Sequence, residues 1–352
     1  MISKKTIFKF GKKSGDILNL KSNFFLDNDK FLKESLKINK VYKKQPVRTK
    51  CKNCNLKLNS KYSFTKYDIE YLLCSKCNHL NGKYEDTNQF CDFVYSKDEG
   101  KKYSKNYFSK NKQNFDNRVK NIYLPKANFL INSLKKNNVN INKLKFADLG
   151  AGSGYFVKAL SKIKIKNIKG FDVSKTQVEL GNKMIGNKLL ESHDLSEVYN
   201  IANIIDANVI SLIGVLEHVQ HPNKMLESLR NNKNVKYLFI SVPTFSPTVF
   251  LEMLFPNIMQ RQLSAGHTHL YTEKSIDWFI KKYNLKKVNM WWFGTDMLDL
   301  HRNIYVSLMK SRKLKNISEV WQNNFVKCID DLQLVLDKNF LSSEVHMLLK
   351  FK

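Results

Sequence analysis

Residues 146–155 read FADLGAGSGY: an apolar run, an aspartate, then glycines at 150, 152 and 154. Glycine at alternate positions lets the chain turn sharply and lets a ligand approach the backbone with no side chain in between. A loop of this kind between a strand and a helix binds nucleotides. A dinucleotide fingerprint would place its third glycine at position 155, where this chain has Tyr155. Asp148, just ahead of the loop, would moreover repel a pyrophosphate.

The residues that follow narrow the choice. GFDVS (170–174) sets Asp172 at the end of a second strand, 22 residues after Gly150. A carboxylate there can accept hydrogen bonds from both hydroxyls of a ribose. SHDLS (192–196) sets Asp194 after a third apolar stretch, where an acid can meet an adenine amino group. Asp148 suits the cationic amino-acid end of S-adenosylmethionine, reached through water or backbone. The expected cofactor set is therefore Asp148, Gly150, Gly152, Gly154, Tyr155, Asp172 and Asp194. The three carboxylates in order point to the methyl donor.

Around the loop, apolar strands (LKFADL, NIKGFDV, ANVISLIGV, KYLFISV) alternate with helix-length segments such as YFVKALSKI. That alternation predicts a parallel sheet covered by helices on both faces. KVNMWWFG and RNIYVSLM could close it as a hairpin, with Trp291 and Trp292 more apt for the core than for stacking on a sugar. In the tail, Ile317, Val320, Trp321, Val326, Ile329 and Leu332 fall near helical spacing and predict a packing helix.

DLGAGSGYF, GFDVS, GVLEHVQHP, YLFISVPT and GHTHLYTEKSIDWF occur in an order that resembles class I S-adenosylmethionine-dependent methyltransferases. The resemblance implies a Rossmann-like α/β fold, a seven-stranded methyltransferase sheet with an antiparallel last strand. The domains flanking it resemble those of sugar and surface-polysaccharide methyltransferases. In the C-methyltransferases of that group a Glu-His pair serves proton transfer, which marks Glu217 and His218 as catalytic. Val215 stands where an active-site tyrosine is expected. A rival reading takes Glu217, His218 and either His267 or His269 as ligands of a divalent metal, although Gly214 replaces one expected carboxylate. In the third reading, LEH only caps the segment after the strand. SAGHTHLYTE (264–273) makes His267, His269 and Tyr271 the candidate substrate contacts, and FLEMLFPNIMQRQL (250–263) reads as a pocket wall or lid.

The cysteines speak separately. CKNC and CSKC supply Cys51, Cys54, Cys74 and Cys77 in a C-x2-C-x19-C-x2-C pattern, the spacing of a four-thiolate structural zinc site. Asn55 and Asn78 follow each pair, and asparagine tolerates the left-handed backbone a zinc knuckle needs there. Two disulfides fit a reducing compartment poorly, and a redox pair does not call for two pairs in register. Cys91 and Cys328 read as buried or idle thiols.

The net charge is +29, but of the 60 basic residues only 6 are arginine. Base and phosphate recognition favours the arginine fork, so the lysine surplus reads mainly as solvated surface. Residues 1–50 nevertheless carry 14 basic against 4 acidic residues, and could touch an anionic partner. No apolar run approaches the roughly 18 residues of a membrane span, and the N-terminus lacks a signal-peptide core. A cytoplasmic protein is expected. The boundaries are a basic arm (1–48), a zinc module (49–95), a methyltransferase domain (110–310) and a helical C-terminal extension (311–352). The expected function is S-adenosylmethionine-dependent methyl transfer to a nucleotide-linked sugar or surface glycan. Methylation of RNA held by the basic arm and zinc ribbon is the alternative.

Overall fold

The computed structural model describes residues 6–15, 25, 27–96, 111–259, 261–263 and 266–352. Of the stretches discussed above, Gln260, Ser264, Ala265, parts of the basic arm and the expected domain start at 110 lie outside these residues.

Among the described residues, twelve strands form two sheets: β1 (Ile7–Phe10), β2 (Ser60–Lys66), β3 (Ile69–Cys74), β4 (Leu80–Gly82), β5 (Phe146–Leu149), β6 (Ile168–Asp172), β7 (Leu190–Ser192), β8 (Val209–Ile213), β9 (Tyr237–Pro243), β10 (His269–Leu270), β11 (Leu285–Phe293) and β12 (Glu344–Phe351). The larger sheet runs β1-β11-β12-β9-β8-β5-β6-β7. β5, β6, β7, β8 and β9 are parallel to one another, and β12 is antiparallel to both its neighbours. The fold is thus an α/β methyltransferase fold with a mixed central sheet.

Three expectations need correction. The sheet has eight strands and not seven, because part of the basic arm becomes β1 and pairs parallel with β11. RNIYVSLM is not a strand: it lies in the helix Asp296–Lys310, which buries Leu298, His301, Arg302 and Val306 on one face. Its spacing of three to four residues is the helical period. The antiparallel strand is instead β12, so 311–352 is not only a helical extension. Its helices Ser318–Phe325 and Ile329–Lys338 lead back into the middle of the sheet. Ile329 packs inward, whereas Ile317, Val320, Val326 and Leu332 remain exposed, so the tail packs less than its pattern suggested.

Successive side chains of a strand face opposite sides of a sheet, and the core is built on that alternation. Phe146, Ile168, Val209, Phe239, Trp291 and Leu348 pack under the helices Leu124–Lys136 and Tyr155–Lys162. Ala147, Ile210, Ile240, Trp292 and Met347 pack on the other face with Met225, Leu229, Ile276 and Phe279. Trp291 and Trp292 therefore anchor opposite layers, both almost fully buried.

The smaller sheet, β10-β4-β3-β2, is antiparallel. It carries the cysteines, yet β10 belongs to the later segment 266–271. A buried ion pair between Lys66 and Glu252 adds a second tie, from β2 to the helix Pro247–Leu254.

Candidate functional site

The glycine loop leaves β5 with Gly150, Gly152 and Gly154 at φ of 72°, 53° and 73°. A side chain at these angles would be strained, and at Gly150 a Cβ would lie 2.6 Å from a Val215 methyl. Asp172 holds the loop from the next strand. One carboxylate oxygen accepts from the Gly152 N–H at 2.7 Å and the other from the Ser174 N–H at 2.8 Å. Both oxygens keep further lone pairs for a ribose. Burial pushes the Asp172 carboxyl up from its ordinary value, while these backbone bonds pull it back.

A cavity of about 890 Å³ opens over this loop. Gly150, Gly152, Tyr155 and Asp172 line it, together with His193 and Leu195 from the segment after β7. Tyr155 is held between the rings of Phe115 (4.7 Å) and Tyr123 (5.3 Å). The cavity's lining does not include three members of the expected cofactor set, Asp148, Gly154 and Asp194; at Gly154 a Cβ would meet the Ile185 and Leu190 side chains, away from the cavity. Asp148 is buried beneath the loop, accepting from Ser211 Oγ at 2.6 Å, with its carboxyl raised to about 7 by burial. Asp194 is exposed, and its neighbours His193 and Leu195 line the wall in its place.

The other half of the cavity lies past the end of β8. Glu217 is buried, and its Oε2 has no hydrogen-bond partner among the described residues. Removal from water raises its carboxyl to about 8, so it is protonated at neutral pH. The His218 and His267 rings sit 4.8 Å apart. Burial drives His218 well below the usual imidazole value and lowers His267 as well, so both rings are neutral. His267 Nδ1 lies 2.9 Å from the Gln262 carbonyl. A carbonyl only accepts, so Nδ1 carries the proton and Nε2 keeps a lone pair.

Ligand atoms of Glu217, His218 and His267 all lie within 4.8 Å of one another. A carboxylate and two imidazoles suit a transition-metal ion better than magnesium, which prefers oxygen. The same three groups also suit proton transfer to a neutral imidazole. Of the two histidines the metal reading left open, His267 is therefore the one brought to the pair.

His269 and Tyr271, expected at the acceptor, are elsewhere. Both are fully buried and neither lines the cavity. His269 is in β10, opposite Asn81 of β4, with its Nδ1 2.7 Å from His79 Nε2. The split follows from where the strand begins: β10 pairs His269 into the cysteine module, while His267, before the strand, stays at the cavity.

In that module all four thiols are buried. Cys51 and Cys77 sulfurs are 3.6 Å apart and those of Cys54 and Cys74 3.8 Å apart, too far for disulfides. A tetrahedron with 2.3 Å zinc–sulfur bonds has edges of about 3.8 Å, so the set fits a zinc ion. Asn55 and Asn78 adopt φ of 59° and 56°, and each donates its N–H at 2.8 Å to the carbonyl of the knuckle's first cysteine. Asn81 Nδ2 points at Cys51 Sγ from 3.5 Å.

Sequence reasoning missed Lys12, Arg118, Lys126, Arg261 and Glu344, all of which line the cavity. Glu344 was hidden with its strand. Arg118 and Lys126 lie on the helical segments before β5, where the apolar pattern alone gave no functional signal.

Residues 121–289 match a family described as a methyltransferase domain. Over 111 residues the chain is 26% identical to the mitochondrial ubiquinone biosynthesis O-methyltransferase of Candida albicans, a match covering 29% of this chain and 33% of that protein. The chain thus spans about a third of that curated relative. Among solved structures, the plantazolicin methyltransferase BpumL in complex with SAH aligns with a TM-score of 0.43 at 16% identity, covering 74% of this chain and 94% of that one. Magnesium protoporphyrin IX methyltransferase from Synechocystis aligns with a TM-score of 0.42 at 14% identity, covering 58% and 92%. The chain carries a class I S-adenosylmethionine-dependent methyltransferase domain. Among the described residues no helix is long and apolar enough to cross a membrane.

Proposed function

We propose that this S-adenosylmethionine-dependent methyltransferase methylates a small polar acceptor, a nucleotide-linked sugar or a glycan terminus, with His218 as the base. The observation that carries the reading is the meeting of Glu217, His218 and His267 in the same cavity as the glycine loop and Asp172. Methyl transfer is an in-line displacement at the sulfonium, and the acceptor must lose a proton as it attacks. A neutral imidazole can take that proton. Glu217, protonated, can donate a hydrogen bond to an acceptor oxygen through Oε2.

Several features support a sugar. The acceptor half of the cavity presents Ser241, Gln262, Thr295 and Ser343 beside Phe293, a set rich in hydroxyl and amide groups with one apolar face. The volume, about 890 Å³, falls in the range of small-ligand pockets, which favours a compact acceptor over an RNA duplex. The cofactor is held at Gly150, Gly152, Tyr155 and Asp172, and Asp148 supports the loop from below. Cys51, Cys54, Cys74 and Cys77 hold one structural zinc ion, which leaves no open coordination position for catalysis.

A second reading draws on the same cluster. With a divalent ion on Glu217, His218 and His267, the acceptor's oxygens would bind the metal and the histidines would not be bases. Incubating purified protein with labelled S-adenosylmethionine and separate panels of nucleotide sugars, glycans and RNA tests the proposal. Label appearing in a sugar supports it, and label confined to RNA overturns it.

A further inference from the structure

The wall of the cavity formed by the helix Leu124–Lys136 and the start of β12 holds a cation with few partners among the described residues. Lys126, on the helix Leu124–Lys136, is only 7% exposed. An ammonium has three N–H donors, and Lys126 spends one on Glu344 Oε1 in a long contact of 3.4 Å. Among the described residues it also lies 5.5 Å from the Tyr123 ring, and its charge reaches the Asp148 and Glu217 carboxyls. A buried charge so thinly bonded costs free energy unless something else completes its shell.

Glu344 is a divided counterion. The same oxygen accepts from Ser241 Oγ at 3.0 Å and lies 3.3 Å from His346 Nε2. His346 is fully buried, and burial holds it neutral. Burial alone would raise the Glu344 carboxyl, but the nearby charges of Lys126 and Lys12 keep it ionised, well below the usual range. Lys12 comes from the segment after β1, with its ammonium 5.2 Å from the Phe293 ring, and it brings a second positive charge to this wall.

We propose that Lys126 and Lys12 form an anion subsite for the acceptor, which carries a phosphate or carboxylate on the β12 side of the cavity. The inference rests on the reading of this half of the cavity as the acceptor's. It assigns a binding role to one residue of the basic N-terminal segment. The anion takes the unspent donors of Lys126, and Glu344 keeps the ammonium in place when the cavity holds no acceptor. Lysine–anion bonds are charge-assisted, and two ammonium groups converging on one anion hold the acceptor's reacting atom near His218.

The test uses the full chain saturated with S-adenosylhomocysteine, titrated calorimetrically with inorganic pyrophosphate and, separately, with malonate. Saturable binding of either anion is expected, weakened by added salt. Stronger pyrophosphate binding assigns a phosphate, and stronger malonate binding a carboxylate. Lys126→Met, which keeps the aliphatic stem, should weaken binding by about tenfold or more. Lys12→Met should weaken it less, and it decides the matter if Lys126→Met does not fold by circular dichroism. S-adenosylhomocysteine affinity should stay within a few-fold in both variants. The proposal is overturned if neither anion binds, if the folded variants bind the anion as the wild type does, or if the loss falls on S-adenosylhomocysteine, which would give the lysines to the cofactor's own carboxylate. Anion binding that depends on the lysines, in a protein that methylates no sugar, leaves the subsite standing and removes only the sugar reading.

Discussion

His79 Nε2 and His269 Nδ1 share a hydrogen bond of 2.7 Å, and both rings are fully buried. One nitrogen must donate and the other accept, so at least one ring is neutral, and burial pushes both well below the usual imidazole range. The bond joins the cysteine module to the segment that carries His267. Beside it, the Gly82 N–H donates to the Thr268 carbonyl at 2.8 Å, and Asn53 Nδ2 donates to the Ser275 carbonyl at 3.0 Å. The cysteine module therefore buttresses the acceptor side of the cavity and leaves the glycine loop to the larger sheet.

Elemental analysis should accordingly find about one zinc per chain. Cys51→Ser should lower zinc content and loosen β4 and β10, because folding of such modules is coupled to the metal. Acceptor turnover should fall as His267 loses its support, while S-adenosylhomocysteine affinity stays within a few-fold by calorimetry. Protein purified without chelator and free of zinc would remove the metal assignment. A collapse of cofactor affinity in Cys51→Ser would remove the division of labour.

Asp172 supplies the second prediction. It accepts from the Gly152 and Ser174 N–H groups, so Asp172→Ala removes both a ribose acceptor and the clamp on the loop. Charge-assisted bonds are each worth roughly 1.5–3 kcal/mol, so S-adenosylmethionine affinity should fall at least about tenfold. Asp172→Asn, which keeps one acceptor oxygen, should fall between. Unchanged affinity in the alanine variant, or tight NAD binding by the wild type, would contradict the cofactor assignment.

Legibility in the sequence followed the range of the interactions. The glycine loop, Asp172 and the paired cysteines were visible because each is a local pattern whose geometry is set within a few residues. Asn55 and Asn78 show this well: the residue type alone predicted the left-handed backbone they adopt. β12 was invisible for the opposite reason. Its partners β9 and β11 lie about the whole C-terminal helical segment away in sequence, and EVHMLLKF has no strict alternation because the strand is buried on both faces. The split between His267 and His269 was likewise unreadable, since it depends on β10 pairing with β4 some 190 residues earlier. Lys126 and Glu344 belong to this long-range class too.

Asp148 gives a pH signature. Burial raises its carboxyl from 3.8 to about 7 in the folded protein, despite the bond from Ser211. Between those values the folded state binds more protons than the unfolded one, so stability falls as pH rises through this window and levels off above it. Asp148→Asn mimics the protonated carboxyl and removes this loss. The cofactor-free variant should melt higher than the wild type above pH 7, by roughly a few degrees, and the gain should vanish towards pH 3.8. Melting curves across the range decide it. An equal difference at both ends would mean that the titration contributes nothing.

The last prediction concerns the base and carries the greatest weight for mechanism. Burial places His218 well below the usual 6.5, so the ring is neutral and able to accept a proton throughout the neutral range. The acidic limb of the pH–rate profile should therefore lie below pH 6.5. His218→Ala should lower turnover on a verified acceptor by roughly 10²–10⁴-fold, with cofactor affinity within a few-fold because the ribose contact is on Asp172. Glu217 is protonated below about 8, so Glu217→Gln preserves its hydrogen-bond capacity and should cost much less than the loss of His218. A metal would reverse that ranking. It needs Glu217 as an anion, so the glutamine variant would then be nearly inactive, and EDTA would abolish wild-type turnover until Mn²⁺ restored it. Turnover indifferent to EDTA, together with a mild Glu217→Gln effect, assigns the proton to His218. If His218→Ala turns over normally, the Nε2 lone pair of His267 is the remaining base in this half of the cavity.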